Sequence, residues 1–416
     1  MRDRRRVVIT GLGVASALGF NIPEFWEALL SCRSGICGIT SFDASDYPCR
    51  IAGEIRGFDG EKFLDPKVCK RLDRFSQFAL VAAAGAVDMS DIDFARENPE
   101  RCGVIIGSGI GGLLEIEEQH KRLLEKGPRR VSPMMIPKLM INAASAQISI
   151  VYQFRGPNTS TVTACASSAH AIADAANIIR RSEADVMISG GAEACITPLS
   201  LAGFCAQKAL ARNFNDDPQH ASRPFDVDRD GFVMAEGAGV LVIEELEHAK
   251  ARGARIYAEF LGSGSSGDAY NIVAPQPDGQ GAIGSIRRAL ESARLNPDDI
   301  DYVNAHGTST PLGDEMEAIA IRTVFGDRTD RIPVSATKSV TGHLLGASAG
   351  LEAVATVMIL DTGVIHPTAN CDHPDPRCRI DCVPNEPREA DVRLAVSNSF
   401  GFGGHNATLA FGKFTG

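Results

Sequence analysis

The chain has 416 residues, 44% of them hydrophobic, with 41 glycines and one tryptophan, enough length for two or more domain-sized units around sizeable cores. A net charge of −10 argues against general affinity for nucleic acid, so an acidic partner would need a local basic patch. Eleven cysteines, odd in number and scattered through a chain too large to need staples, point to reduced thiols and against a disulfide framework.

The N-terminus, "MRDRRRVVITGLG", is basic but enters a strand-like run at once and lacks the apolar stretch of a signal peptide. No apolar run reaches the ~18–20 residues that a membrane span needs. A soluble, cytoplasmic protein is expected. Along the chain, β-branched runs alternate with Ala-rich helical stretches: "RRVVITGLG", "RCGVIIGSG", "ADVMISGG", "AGVLVIEE", "IDYVNAHG", "RLAVSNSFGFGG". This alternation predicts a layered α/β fold with buried strands. Strands ending in glycine recur at comparable places before and after residue 255, which predicts two similar halves, 1–255 and 256–416, that both contribute chemistry.

In "GSGIGG", Gly107, Gly109 and Gly112 have G-x-G-x-x-G spacing after a strand and before the helical "LLEIEEQHKRLLEKG". A dinucleotide site would next need a second strand ending in an acid. Here the helix runs into "PRRVSPMMIPKLM", read as a loop, so the glycines are assigned to a tight turn where backbones approach. "GLGVAS" fails on the same ground, and no nicotinamide or flavin is implied. The cluster Cys371, His373, Cys378 and Cys382 lies in a Pro-rich loop and matches no common zinc spacing.

In "TVTACASSAHA", Cys165 stands where a strand-like run gives way to a helix expected to reach about Arg181. A thiol there would feel the positive end of the helix dipole, which lowers its pKa, and its small neighbours leave room for a substrate. Taken alone, the motif fits a buried structural cysteine equally well. The second half adds His306 in "AHGTSTPLGDEME", and Lys338 and His343 in "SATKSVTGHLLGASAGLEA". Each histidine sits in Gly/Ser/Thr surroundings at a strand exit. With Cys165 they form a set able to perform nucleophilic acyl chemistry.

These stretches carry a resemblance. "TACASS", "HGTSTPLGD", "KSVTGHLLGASAG" and "NSFGFGGHN", with "DRFSQFAL" and "RPFDVDRDGFVMAEGAG", resemble the β-ketoacyl-[acyl-carrier-protein] synthases, in detail the type II condensing enzymes of bacterial fatty acid synthesis. The similarity runs over essentially the whole chain. It implies a thiolase-like fold of duplicated five-layered αβαβα halves and a homodimer. It implies that Cys165 takes an acyl group from acyl carrier protein, with the N–H groups of Cys165 and Phe402 as oxyanion hole. His306 and His343 would then hold the enolate left when malonyl carrier protein loses CO2. Lys338 would orient His343 and add positive potential. No cofactor is required, because phosphopantetheine arrives on the carrier.

The resemblance also implies a gate at Phe400 and Phe402, and a tunnel lined by Ile110 and by Met135, the latter reaching across the dimer interface. It implies carrier docking on Lys67, Lys70, Arg71, Arg129, Arg130 and Lys208. Asn304, Glu352, Ser397 and Asn398 match positions that hold a monovalent cation in relatives; a closed hydrogen-bonded polar network is the preferred reading. His405 stands where relatives commonly carry Thr and receives no role. A polyketide ketosynthase with the same chemistry is the alternative. A thiolase would need a second cysteine in "NSFGFGGHN", and a non-catalytic chain-length factor would lack Cys165.

Overall fold

A computed structural model describes residues 5–416, and its central sheet has ten strands. They are β1 (Val7–Ala15), β2 (Cys102–Gly107), β3 (Asn158–Thr161), β4 (Val186–Glu193), β5 (Gly237–Glu245), β6 (Ala258–Gly267), β7 (Tyr302–Asn304), β8 (Val334–Ser335), β9 (Leu394–Gly401) and β10 (His405–Gly412). Their spatial order is 8-7-9-10-6-1-5-4-2-3. From the middle outward, β1 pairs antiparallel with β5 and β5 with β4; β4 runs parallel to β2, and β2 to β3. On the other side β6, β10, β9, β7 and β8 repeat every one of these pairings. The two sets meet where β1 and β6 pair antiparallel. The changeover falls in the connector between the helix Leu246–Ala251 and β6.

The helices repeat as well. α1 (Arg74–Ser90) and α2 (Ala143–Tyr152) cover the outer face of the first set, while α4 (Gln280–Ala293) and α5 (Pro311–Phe325) cover that of the second. α3 (Ser167–Arg180) and α6 (Ser348–Thr362) lie between them in one shared core. The layers are therefore helix, sheet, helix, sheet, helix. α3 and α6 are covered on both sides, which is why they are rich in Ala and other apolar residues and mostly buried. The packing is close enough that a Cβ on Gly239 would lie 2.2 Å from the Leu351 nitrogen.

One sequence expectation is corrected here. Leu345–Thr362 is long and apolar enough to cross a membrane, with mean hydropathy 1.3, but 89% of it is buried inside the protein. Its apolarity reflects the central layer.

Candidate active site

In α/β sheets, ligands gather at the carboxyl ends of parallel strands. Here those ends belong to β2 and β4 in one half and to β7 and β9 in the other, and their loops converge on Cys165. The thiol precedes the first residue of α3 by two positions, and the helix ends at Arg180. Ala164 takes a left-handed φ of 50°, a strained conformation for a residue with a Cβ. Ser167 holds this turn: its Oγ accepts from the Thr163 N–H at 2.9 Å and donates to the Ala164 carbonyl at 2.7 Å. Gly401, at the end of β9, crowds the same turn; a Cβ there would lie 3.0 Å from the Cys165 nitrogen.

Both histidines reach the sulfur's surroundings. His343 Nε2 is 3.1 Å from Cys165 Sγ, and its Nδ1 is 2.8 Å from Ser348 Oγ. The reactive atoms of Cys165, His306 and His343 all lie within 4.8 Å of one another. The two imidazoles meet edge to face, with centroids 5.4 Å apart.

Lys338 corrects an expectation. Its ammonium donates to the His306 carbonyl at 2.7 Å and lies 3.3 Å from His306 Nδ1, so it orients His306 and not His343. The topology explains this: Lys338 opens a short helix just after β8, the neighbour of β7, and His306 follows β7. An ammonium only donates, so Nδ1 of His306 accepts and the ring proton sits on Nε2. Glu352 is hydrogen-bonded to the same ammonium, and both side chains are buried.

The thiol's charge state is also corrected. Burial pushes Cys165 up to about 11, outweighing the Phe402 N–H and the Lys338 charge, which pull it down. The helix end does not make a resting thiolate because the site is dry. Burial, and then the Lys338 charge, hold both His306 and His343 well below the ordinary histidine value. At neutral pH the trio is therefore an uncharged thiol and two uncharged imidazoles. The Phe402 N–H is hydrogen-bonded toward the Cys165 sulfur.

Cys165, His306 and His343 line one cavity of about 580 Å³. Its lining includes the apolar Ile110, Phe204, Leu345 and Leu312 and the polar Thr308, Thr310 and Lys208. Phe400, near the end of β9, and Phe402, just after it, line it too, and the following Gly403 and Gly404 take left-handed φ of 78° and 72°. Met135 opens the short helix Met135–Leu139, inside the stretch read as a loop, and is absent from the cavity lining of its own chain.

Two family profiles match: "Beta-ketoacyl synthase, N-terminal domain" over residues 4–249 and "Beta-ketoacyl synthase, C-terminal domain" over 257–372. The chain belongs to the β-ketoacyl synthase family. It is 51% identical over 412 residues to "3-oxoacyl-[acyl-carrier-protein] synthase 2" of Synechocystis sp., covering 99% of each chain. It is 49% identical over 414 residues to the protein of that name from Staphylococcus aureus (strain COL), covering 100% of each. A β-ketoacyl synthase from Burkholderia phymatum superposes with TM-score 0.92 at 35% identity, over 99% of this chain and 100% of the other. A type II polyketide ketosynthase, solved with its acyl-carrier protein and bound to the hexaketide, gives TM-score 0.93 at 32% identity over 99% and 100%. The thiolase-like layering is thus that of the β-ketoacyl synthase family.

The polar quartet behind the β-ketoacyl synthase site is not the closed network expected. Asn398 is satisfied, its amide donating to Glu317 at 3.3 Å and its carbonyl accepting from Thr408 at 3.0 Å. Asn304 Oδ1, Glu352 Oε2 and Ser397 Oγ are buried without a hydrogen-bond partner in the protein. Unpartnered buried oxygens are costly, and an all-oxygen donor set suits a hard cation.

All six expected docking cations, Lys67, Lys70, Arg71, Arg129, Arg130 and Lys208, are exposed, and Lys208 lies on the cavity wall. His405 is exposed and does not line the cavity, although its neighbours Gly404 and Asn406 do. Cys371 and Cys382 lie with sulfurs 3.3 Å apart in the second-half core.

Sequence reasoning missed the buried carboxylates. Glu317, pushed up to about 7 by burial, accepts from the N–H groups of His306 at 2.8 Å and Gly307 at 2.7 Å. Glu193 does the same for the Gly109 and Gly346 loops. The available signal was an acid at the end of an apolar strand or on a helix's buried face.

Proposed function

We propose that this chain catalyses the decarboxylative condensation of an acyl group, held as a thioester on Cys165, with malonyl carrier protein. The products are 3-oxoacyl carrier protein, CO2 and free carrier, as in fatty acid elongation. The observation that carries the reading is the thiol at 3.1 Å from His343 Nε2 in a cavity that His306 shares.

In the first step, His343 Nε2 is the group placed to take the thiol proton as sulfur attacks the acyl thioester. The Cys165 and Phe402 N–H groups meet the oxygen that becomes negative. The carrier sulfur leaves and is reprotonated. In the second step, malonyl carrier protein loses CO2, and the electron pair passes into an enolate. His306 holds that enolate oxygen through its Nε2–H, the nitrogen on which Lys338 keeps the proton, and His343 does so in its other neutral tautomer, with Nδ1 accepting from the Ser348 hydroxyl and the proton on Nε2. The enolate carbon attacks the acyl carbon, the C–S bond breaks, and the Cys165 sulfur takes up a proton from solvent, the one proton that loss of CO2 from a carboxylate consumes.

No organic cofactor is needed beyond the phosphopantetheine that each carrier brings. Asn304, Glu352 and Ser397 would hold a monovalent cation, which would supply positive charge to their bare oxygens. Phe400 and Phe402 would gate the cavity, and the six exposed cations would receive an acidic carrier. A homodimer is part of the reading: β3 is an edge strand, and near it Ile136, Met140, Ile150, Val151 and Val162 are exposed. Met135 would then reach the partner's tunnel. We place the protein in the cytoplasm, where its eleven free thiols would stay reduced.

A polyketide ketosynthase would run the same chemistry on other starters. Relatives named for the fatty acid reaction, at 49–51% identity, favour the first reading over ketosynthase neighbours at 32–35%. Intact-protein mass spectrometry after mixing with acyl carriers of graded length tests both. Acylation of wild type but not of Cys165→Ala is expected. Acylation at any other residue, or none at all, overturns the reading.

A further inference from the structure

Glu193 is 0% exposed at the end of β4, yet its carboxylate serves no step above. Its Oε1 accepts from Ser108 Oγ at 2.9 Å, the Ile110 N–H at 3.2 Å and the Gly111 N–H at 3.3 Å. Its Oε2 accepts from the Gly109 N–H at 2.6 Å and the Gly346 N–H at 3.0 Å. The groups that offset its burial are backbone N–H groups and a hydroxyl, all neutral.

The carboxylate thus joins loops from both halves. Ser108–Gly111 follows β2, and Gly346 belongs to the turn between His343 and α6. The loops touch so closely that a Cβ on Gly346 would lie 2.2 Å from the Gly109 nitrogen and 2.7 Å from Glu193 Oε2. Each loop sends one apolar side chain, Ile110 or Leu345, into the wall of the Cys165 cavity. Three successive N–H groups around Ile110 are fixed, so a long chain must be admitted by turning its side chain, not by moving the loop.

We propose that Glu193 is a positioning residue that sets acyl-chain selectivity: by anchoring the Gly109–Gly111 and Gly346 backbones, it holds Ile110 and Leu345 as the wall that limits chain length. The proposal rests on the acyl-enzyme reading of Cys165.

The test uses the full chain and follows Cys165 acylation by intact mass, with butyryl- and dodecanoyl-loaded carrier in parallel. Glu193→Gln keeps a carbonyl oxygen but turns an amide NH2 toward the loop N–H groups, releasing part of the anchor. The dodecanoyl-to-butyryl rate ratio is expected to rise at least about tenfold, within the range that pocket contacts give for small apolar differences. In an Ile110→Ala background, where the wall is already open, the same substitution should move the ratio less than about twofold, because the two act through one contact. An unchanged ratio, an equal loss at both lengths, or the same shift in both backgrounds overturns the proposal. Should Glu193→Gln fail to fold, Glu193→Asp, which keeps the charge but cannot reach both loops, is read in the same way. Wild type that accepts neither acyl group on Cys165 would instead sink the acyl-enzyme reading.

Discussion

His343 Nε2 stands 3.1 Å from Cys165 Sγ although 178 residues separate them in sequence. The duplication explains the meeting. Cys165 precedes α3 and His343 precedes α6, and these are equivalent helices of the shared middle layer. Each half brings one reactive group to the start of its own central helix, so the site exists only where the halves face each other.

With the thiol pushed to about 11 and the imidazole held well below its usual value, the pair is neutral in the resting enzyme. Thiolate, the nucleophile, then grows about tenfold per pH unit below the thiol pKa. Alkylation of Cys165 by iodoacetamide, followed by mass, should therefore climb steadily between about pH 7 and about pH 9. A plateau already reached at neutral pH would show a preformed thiolate–imidazolium pair and refute the neutral resting state.

Lys338 and Glu352 form a buried ion pair next to His306. Removing one partner strands the other's charge in the core. Lys338→Ala should cost about 3–5 kcal/mol in denaturant unfolding, the usual penalty for breaking a buried pair. Adding Glu352→Gln removes the stranded carboxylate and should return a large part of that loss. A double variant as unstable as the single one would mean that packing of the lysine stem, not charge pairing, dominates here.

Legibility in the sequence followed how local each signal was. Cys165, His306 and His343 were readable because each sits in a short stretch of small residues that only a crowded, reactive loop requires. The repeat was readable because glycines at strand ends mark close approaches, as at Gly107, the last residue of β2, where a Cβ would lie 2.5 Å from the Ser167 backbone. The partner of Lys338 was not, because it depends on which strand lies beside β8. The thiol's state was misread because the helix-end effect is visible in sequence, whereas burial depends on the whole fold. Glu193 and Glu317 stayed hidden for another reason: most of their partners are backbone N–H groups, which leave no residue type to recognise.

Decarboxylation and acyl transfer should separate. The two imidazoles are held by Lys338 and Ser348, not by the sulfur alone. Cys165→Gln removes the nucleophile and leaves those anchors, so release of CO2 from malonyl carrier protein should persist while condensation stops. Radiolabelled CO2 evolution measures the first and product mass the second. Loss of both in a folded variant would count against separate roles for the thiol and the imidazoles.

Lys67 lies in the short helix Pro66–Cys69, and Lys70 and Arg71 follow it directly, while Lys208 sits on the cavity wall itself. On a chain of net charge −10, such a local patch is what could draw an acidic carrier to one mouth. Charge reversal at Lys67 and Arg71 should raise KM for carrier-linked substrates with little change in kcat, since neither side chain touches the reacting atoms. The salt dependence of KM should flatten as well, because fewer charge contacts remain to be screened. An acyl thioester of a small, uncharged thiol bypasses docking and should react with wild type and variant alike. If KM for the carrier substrate is unmoved, the carrier docks elsewhere; if the small thioester suffers equally, the substitutions have disturbed the cavity and not the landing surface.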